Sequence, residues 1–196
     1  MADDVVNNEI TQGQLGQING SDVGVAWVAP DGSEARIMIA ATGGGTRWEL
    51  LCDVRPNDVV PLGAGLVRVA GINAPAGKKH GAVSFAPGGG TAASVPPDVV
   101  MVPPGGRLRV DGPSVTTATD LTAEAWSPDE ANPSSVTVEW LPARFPRDRT
   151  PSVQISRRNV HVGDVLKVGG GEMTVAGIRG SSANHPAWLV LRLSSQ

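Results

Sequence analysis

The chain has 196 residues and a net charge of -3, with a pI near 5.6, so no overall basic charge favours a polyanionic partner. Its 25 glycines and 16 prolines interrupt helix interiors, and no stretch shows the 3.6-residue apolar period of an amphipathic helix. The single cysteine, Cys52, excludes an intramolecular disulfide and a multi-cysteine zinc site. These properties predict an all-β protein with room for one large domain or two small ones.

The N-terminus predicts neither export nor membrane insertion. Met1-Ala2-Asp3-Asp4 is acidic and two asparagines follow soon after it, whereas a signal peptide begins with basic residues before an apolar run. No apolar stretch in the sequence approaches the roughly 20 residues that a membrane-spanning helix needs. We therefore expect a soluble protein of the cytoplasm or of a virion.

The first predicted strand ends in a turn that recurs later in the chain. Ala26-Trp27 runs into Pro30-Asp31, and Ala125-Trp126 runs into Pro128-Asp129. Proline presets φ for a turn, and aspartate can bond its own backbone two residues on. A short β-prone run follows each turn, at 36–39 and at 136–140, so both segments predict a strand, a turn and a second strand.

The clearest signal is an internal repeat of sixteen residues. Asn57–Ile72 aligns without a gap with Gly163–Ile178, and eight positions are identical. Each copy contains a short glycine-rich loop between β-prone runs, which predicts a hairpin. The matched Gly71 and Gly177 predict a β-bulge or a close backbone approach that would exclude a side chain. The identical pairs are Asp58/Asp164, Val59/Val165, Gly63/Gly169, Gly65/Gly171, Val69/Val175, Ala70/Ala176, Gly71/Gly177 and Ile72/Ile178.

The repeat predicts two tandem related small domains, each a β-sandwich or a barrel. We place the first domain at 1–86, a Pro/Gly-rich linker at 87–106 and the second domain at 107–196. The apolar segment 98–102 has two interpretations: it is the first strand of the second copy, which we favour, or an edge strand that pairs with a neighbouring sheet.

Two aspartate and histidine pairs are the sharpest indication of catalysis or metal binding: Asp58 with His80, and Asp164 with His185. A carboxylate can orient an imidazole for either task. However, an aspartate directly before a strand commonly satisfies turn amides, and we favour that structural role. The sequence contains no nucleophile elbow or zinc-binding helix motif, so we assign no catalytic, cofactor-binding or metal-binding residue.

Trp27 and Trp126 occupy matching strand positions, and their rings would form a related surface for a sugar or a peptide; core packing is the more common role of such residues. A local arginine cluster at 144–158 could contact phosphate. An aspartate interrupts it and no aromatic residues are interleaved for base stacking. We interpret it as a solvated loop and do not predict nucleic-acid binding.

The segment Trp27–Gly32 and two V-x-x-x-D-V-x-x-x-G blocks, Val54–Gly63 and Val160–Gly169, resemble small uncharacterised β-domain proteins of actinobacteria and their phages. The resemblance implies an accessory or structural role and transfers no catalytic residue. The leading hypothesis is a non-enzymatic structural or interaction protein without a cofactor, an accessory component of a larger assembly such as a phage-like particle, with protein subunits or copies of itself as partners. The alternatives are a carbohydrate or small-ligand binding module and, less favoured, a hydrolase or metal enzyme.

Overall fold

The computed structural model describes residues 8–43, 45–62, 65–88, 96, 98–111, 119–123, 134–142, 156–168, 171–180 and 187–194. Their regular structure consists of β-strands, with no helix in any of these ranges. The all-β prediction is confirmed. The strands are short and turns follow them closely, as the high glycine and proline content indicated.

The chain divides into two units that are not contiguous in sequence. The first comprises Met1–Ala41 and Leu51–Pro96, and the second comprises Thr42–Leu50 and Pro97–Gln196. One long strand, β5 (Thr46–Val54), therefore supplies its first residues to the second unit and its last residues to the first.

The first unit contains two antiparallel sheets. One has the order β1-β8-β7-β6, and in the other β2, β3, β4 and the end of β5 follow each other in that order. The strands besides β5 are β1 (Asn8–Thr11), β2 (Leu15–Ile18), β3 (Ser21–Val28), β4 (Ala35–Gly43), β6 (Val59–Leu62), β7 (Gly65–Asn73) and β8 (Ala82–Pro87).

The second unit has the same strand order. One of its sheets runs β14-β15-β16-β9, and the other runs β13-β12-β11-β10 and then continues into residues 46–50 of β5. Segment 98–102 contributes β9, which pairs with β16 as β1 pairs with β8. The strands are β9 (Val99–Val102), β10 (Arg107–Val110), β11 (Thr119–Ala123), β12 (Val136–Pro142), β13 (Ser156–Val160), β14 (Val165–Val168), β15 (Gly171–Arg179) and β16 (Trp188–Leu193).

The sequence repeat forms one hairpin in each unit, β6–β7 and β14–β15. The residue before the matched aspartate has a positive φ, 73° at Asn57 and 94° at Gly163. Its N–H donates to the carbonyl of Val69 or Val175, at 2.8 Å in both units. The predicted hairpins are confirmed, and the turns that lead into them have the same backbone hydrogen bonds.

Both hairpins also lead to a β-bulge at the same place. The register between β7 and β8 shifts at Val69/Gly71, and that between β15 and β16 shifts at Val175/Gly177. The bulge prediction is confirmed, but the predicted exclusion of a side chain is wrong. A Cβ at Gly71 would have no neighbour within 4 Å, and one at Gly177 would be 3.7 Å from Val190, an ordinary contact.

Aliphatic residues with few aromatic ones build the core in the described part of the chain. Among the described side chains that are less than 2% exposed, Phe85 is the largest, at 1%. In the first unit, buried positions alternate along β4 and β5, so one face of that sheet is apolar and the other carries polar and half-buried residues. Because the inner faces of both sheets are buried, the opposite faces of the same strands form the outer surface.

Candidate interaction surface

Trp27 lies on the outer face of the β2–β5 sheet in the first unit, and it is 41% exposed. A bulge between Val25 and Trp27 in the pairing of β3 with β4 places it opposite Arg36. A bulge puts two residues of one strand against one of its partner and re-aims the side chains. Here Ala26 and Trp27 are both exposed, so an indole ring is presented outside the core.

A charged pair lies directly beside this ring. Arg36 Nε and Nη2 donate to the two carboxylate oxygens of Asp53 at 2.7 Å and 2.9 Å. The hydrogen bonds that Arg36 donates to Asp53, together with the charge of that carboxylate, raise the pKa of the Arg36 guanidinium. Because both side chains are about half exposed, 49% each, solvent screens the attraction and the pair adds little stability. The bidentate pair faces solvent.

Leu15 and Met38 extend the same face towards the edge of the sheet. Leu15 is opposite Gly24 on β3, and Gly24 is opposite Met38 on β4. A Cβ on Gly24 would lie 2.9 Å from a terminal methyl of Leu15 and 3.6 Å from that of Met38. Because Gly24 has no side chain, the side chains of Leu15 and Met38 approach each other over it. Leu15 remains 70% exposed.

We call Leu15, Trp27, Met38, Arg36 and Asp53 the outer-face surface. It combines apolar side chains with one satisfied ion pair on a sheet whose opposite face is buried. Such a surface can bind an apolar segment or an aromatic or sugar ring. The pairing of the strands sets the order of these residues across the sheet.

Asp58 and Asp164 act in their turns. The carboxylate of Asp58 accepts the backbone N–H of Arg55 at 2.7 Å, and that of Asp164 accepts the backbone N–H of His161 at 3.1 Å. Asp58 and His80 share no hydrogen bond in the described structure, and His80 is exposed in the loop before β8. The turn role favoured from sequence matches this geometry. Trp126 and His185 lie outside the described residues.

Asp164 also forms a salt bridge, whereas Asp58 forms none with the residues that the structure describes. Arg158 Nη2 lies 2.8 Å from its carboxylate, and His161 Nδ1 lies at 3.9 Å. The backbone hydrogen bond from His161, followed by the hydrogen bond from Arg158, lowers the pKa of Asp164. The carboxylate is therefore held in its charged form by the turn and by one neighbouring strand.

This shift predicts a pH dependence of stability. A carboxylate whose pKa falls on folding stabilises the protein above its unfolded pKa, near 3.9. That contribution is lost as the pH falls through the lowered folded pKa. We expect Asp164→Asn to lower the melting temperature at pH 6, and the difference from the wild type to narrow as the pH falls towards 2. Thermal melts between these values test this, and parallel curves for the two proteins would contradict it.

Cys52 is buried in β5. It is 4% exposed, and burial, with smaller effects from the charges of Asp53 and Asp58, raises the pKa of its thiol to about 12. Since the thiolate is the nucleophile, this cysteine is a packing group in the folded protein.

Metal-binding and membrane-spanning features were searched for among the described residues. No group of three or more histidine, cysteine, aspartate or glutamate side chains there is arranged to hold a metal ion. No helix in the same ranges has the length and apolarity to cross a membrane.

Sequence reasoning identified Trp27 but missed the residues around it. The partial signal for Arg36 and Met38 was the alternation of Arg36-Ile37-Met38-Ile39, which places two residues on each face of a strand. No local signal placed Asp53 or Leu15 beside them, because that depends on strand pairing. Comparison with known proteins adds no further residues: no protein-family model, curated protein or solved structure matches this chain.

Proposed function

We propose that this chain is a non-enzymatic structural or interaction protein that binds other protein subunits within a larger assembly. The outer-face surface is the observation that carries the proposal. Leu15 and Trp27 are large apolar residues that are 70% and 41% exposed, and they lie on one face of one sheet. Large apolar and aromatic residues of this kind are typical anchors of protein interfaces.

The chemistry of this surface suits a protein partner. Complete burial of a leucine side chain contributes about 1.5–3 kcal/mol relative to exposure in water, and tryptophan buries a larger area. The Arg36–Asp53 pair is already internally satisfied. A partner that covers its neighbourhood would therefore leave no unpaired charge, which would be costly in a dry interface.

We further propose that the two units are related β-sandwich domains that arose by duplication. The identical strand order, the matched turns at Asp58 and Asp164, and the matched bulges support this relationship. In the first unit, the buried faces of both sheets support a sandwich. Two related domains in one chain suit a protein that makes equivalent contacts more than once. A place in a phage-like particle remains a proposal that rests on the resemblance described above.

The native mass of the purified protein, measured by light scattering over a concentration series, tests the proposed function. We expect a discrete oligomer or an assembly that grows with concentration, well above the 20.1 kDa of one chain. A protein that stays monomeric at every concentration and also retrieves no partner from its native extract would overturn the proposal.

The second candidate function is a carbohydrate or small-ligand binding module. The observation that favours it is the exposed ring of Trp27 opposite Arg36, whose ion pair with Asp53 offers polar groups at the ring's edge. Sugars stack on such rings while polar neighbours bind their hydroxyls.

Tryptophan fluorescence against a panel of glycans tests this alternative. If it holds, a glycan shifts the emission of the wild type, and Trp27→Ala abolishes that shift. Trp48 and Trp188 are buried, 7% and 3% exposed, so Trp48→Phe is a control that should retain the ligand response. Emission that no glycan alters, while an added quencher still reduces it, would exclude this function.

A further inference from the structure

Strand β9 (Val99–Val102) lies at the edge of its sheet in the second unit. On one side it pairs with β16, where Val100 is opposite Leu191 and Val102 is opposite Leu189. On the other side no strand of the described residues lies beyond it. The sequence gave two interpretations of this segment, as the first strand of the second copy or as an edge strand that pairs with a neighbouring sheet. The structure shows the first role, and the position of β9 at an edge is compatible with the second.

The hydrogen-bonding pattern shows which backbone groups β9 presents at its outer edge. The N–H of Leu193 donates to the carbonyl of Asp98 at 2.7 Å. This pair is therefore hydrogen-bonded, and in an antiparallel ladder every second pair is. Val100 accordingly bonds to β16, whereas the N–H and C=O groups of Val99 and Met101 point away from it. A strand that joined this edge would bond to those groups.

Strand β9 also lacks the residues that keep other edges from pairing. Among the edge strands of the described ranges, it is the one that contains no charged residue, no glycine and no proline. Charged residues and proline block edge-to-edge association, and glycine weakens a strand. The other edge strands carry Glu9 in β1, Gly16 in β2, Pro61 in β6, Arg157 and Arg158 in β13, and Lys167 in β14. Strand β9 is therefore the edge with the fewest barriers to pairing.

The equivalent strand of the first unit, β1, has a charged residue where β9 has Met101. Glu9 is opposite Ser84, as Met101 is opposite Val190. The carboxylate of Glu9 accepts hydrogen bonds from Asn73 Nδ2 at 3.0 Å and from Ser84 Oγ at 3.2 Å. Met101 and Val190 are half-buried and have no such groups. The same edge is thus polar in the first unit and apolar in the second.

We propose that the β9 edge pairs with the β9 edge of a second copy of this chain, antiparallel and about a two-fold axis at Val100. This register places Val99 opposite Met101 of the second copy and Met101 opposite its Val99, so every outward N–H and C=O group of the two residues is bonded. Both cross-strand pairs are apolar, which favours pairing. The contact is isologous and closes as a dimer. The inference rests on the proposed function and specifies a second copy as the partner.

The residues that flank β9 suit a second copy in this register. Prolines stand at 97 and 103 in the sequence, two residues before Val99 and two after Met101, and proline has no N–H to donate. The carbonyl of Pro103 already accepts the N–H of Gly106 at 2.9 Å. A register shifted by two residues would place Val99 or Met101 opposite a proline and lose hydrogen bonds. A second copy has the same two pairing residues between prolines, so the lengths of the two edges agree.

Met101→Glu tests this edge directly, because it gives the second unit the charge that the first unit carries at Glu9. A charge at this position opposes burial of the edge by a second copy. Arg179 occupies in β15 the register position that Asn73 has in β7, so the new carboxylate has a cation within its own unit and the fold should persist. Val165→Glu is the matched control, because Val165 is 46% exposed and lies on β14, at the opposite edge of the same sheet.

Val99→Pro is an independent second variant. It removes one outward N–H while leaving the hydrogen bonds of Asp98 and Val100 to β16 in place, and proline is tolerated at the first residue of a strand. Circular dichroism and thermal melts identify the variants that retain the fold.

Light scattering over a concentration series is expected to show a dimer for the wild type and for Val165→Glu, with a limiting mass of about twice the 20.1 kDa of one chain. Dimerisation should be about tenfold weaker or more in Met101→Glu and in Val99→Pro, since each opposes or removes an interchain contact. If every variant that retains the fold dimerises as the wild type does, the inference is overturned while the proposed function stands. If the wild type is a monomer that retrieves another protein, the inference fails and the proposed function again stands.

The register is tested by disulfide cross-linking of Val99→Cys with Met101→Cys. In a hydrogen-bonded pair the Cα atoms lie about 5.5 Å apart, a distance that a disulfide spans. Burial raises the pKa of the native Cys52 thiol to about 12, so this cysteine does not compete. A mixture of the two variants, exchanged by dilution and then mildly oxidised, should give more covalent dimer than either variant alone. Equal yields from each variant alone, or none from a mixture that light scattering shows to be dimeric, would overturn the pairing of Val99 with Met101.

Discussion

Replacement of Gly81 by alanine is expected to destabilise the protein by about 2–3 kcal/mol, a large part of the roughly 5–15 kcal/mol that stabilises a typical domain. Gly81 is buried just before β8. An added Cβ would lie 2.6 Å from the Cβ of Val28 and within 3.0 Å of both its γ-methyls. Because Val28 is β-branched and buried, it cannot rotate away, and the backbone must shift instead.

Urea denaturation monitored by circular dichroism measures this cost. Gly71→Ala is the matched control, since its Cβ would meet nothing within 4 Å and its φ is not in the left-handed region. That variant should be as stable as the wild type or slightly more stable, because alanine restricts the unfolded chain. Equal stability of the two variants would contradict the close packing of Gly81 against Val28.

Phe85→Ala is expected to cost about 3–5 kcal/mol, whereas Phe85→Leu should cost much less. Phe85 is 1% exposed and is opposite Val69 in β7. In the second unit, Leu191 is opposite Val175 and is 0% exposed. Leucine is thus the residue that the second unit carries at the equivalent register, so a related site should accept it with a modest loss of volume.

Unfolding free energies of the two Phe85 variants test both the packing and the equivalence of the units. The reciprocal variant Leu191→Ala should cost about 2–5 kcal/mol, the usual range for a buried leucine. If Phe85→Leu were as damaging as Phe85→Ala, the two sites would not be equivalent in packing. The proposed relationship between the units would then rest on their turns, bulges and strand order alone.

Local features of the fold could be predicted from the sequence. The hairpins 59–73 and 165–179 follow from alternating apolar residues and short glycine loops. The turn role of Asp58 and Asp164 follows from their place directly before a strand, since each carboxylate bonds a backbone amide three residues earlier. The bulges at Gly71 and Gly177 were also expected from a local signal, because a glycine within a strand often marks a bulge.

The candidate site was less predictable, because it depends on which strands become neighbours. Trp27 was visible in the sequence, but its position opposite Arg36 results from a bulge, and Asp53 reaches Arg36 only through the pairing of β4 with β5. Nothing in the sequence around Gly24 indicated that the side chains of Leu15 and Met38 would approach each other over it. The predicted exclusion of side chains at Gly71 and Gly177 failed because a bulge changes register without closing the space above it.

Strand β5 also bears on the order in which the protein can fold as it is synthesised. Residues 46–50 leave the ribosome well before β10, to which they pair, has been translated. This short β-prone segment therefore lacks its β10 partner until the second half is translated, and a pairing so distant in sequence is slow to form. The nascent chain holds an unpaired strand edge during this interval, so correct folding depends on keeping that edge from other chains until the second half has emerged.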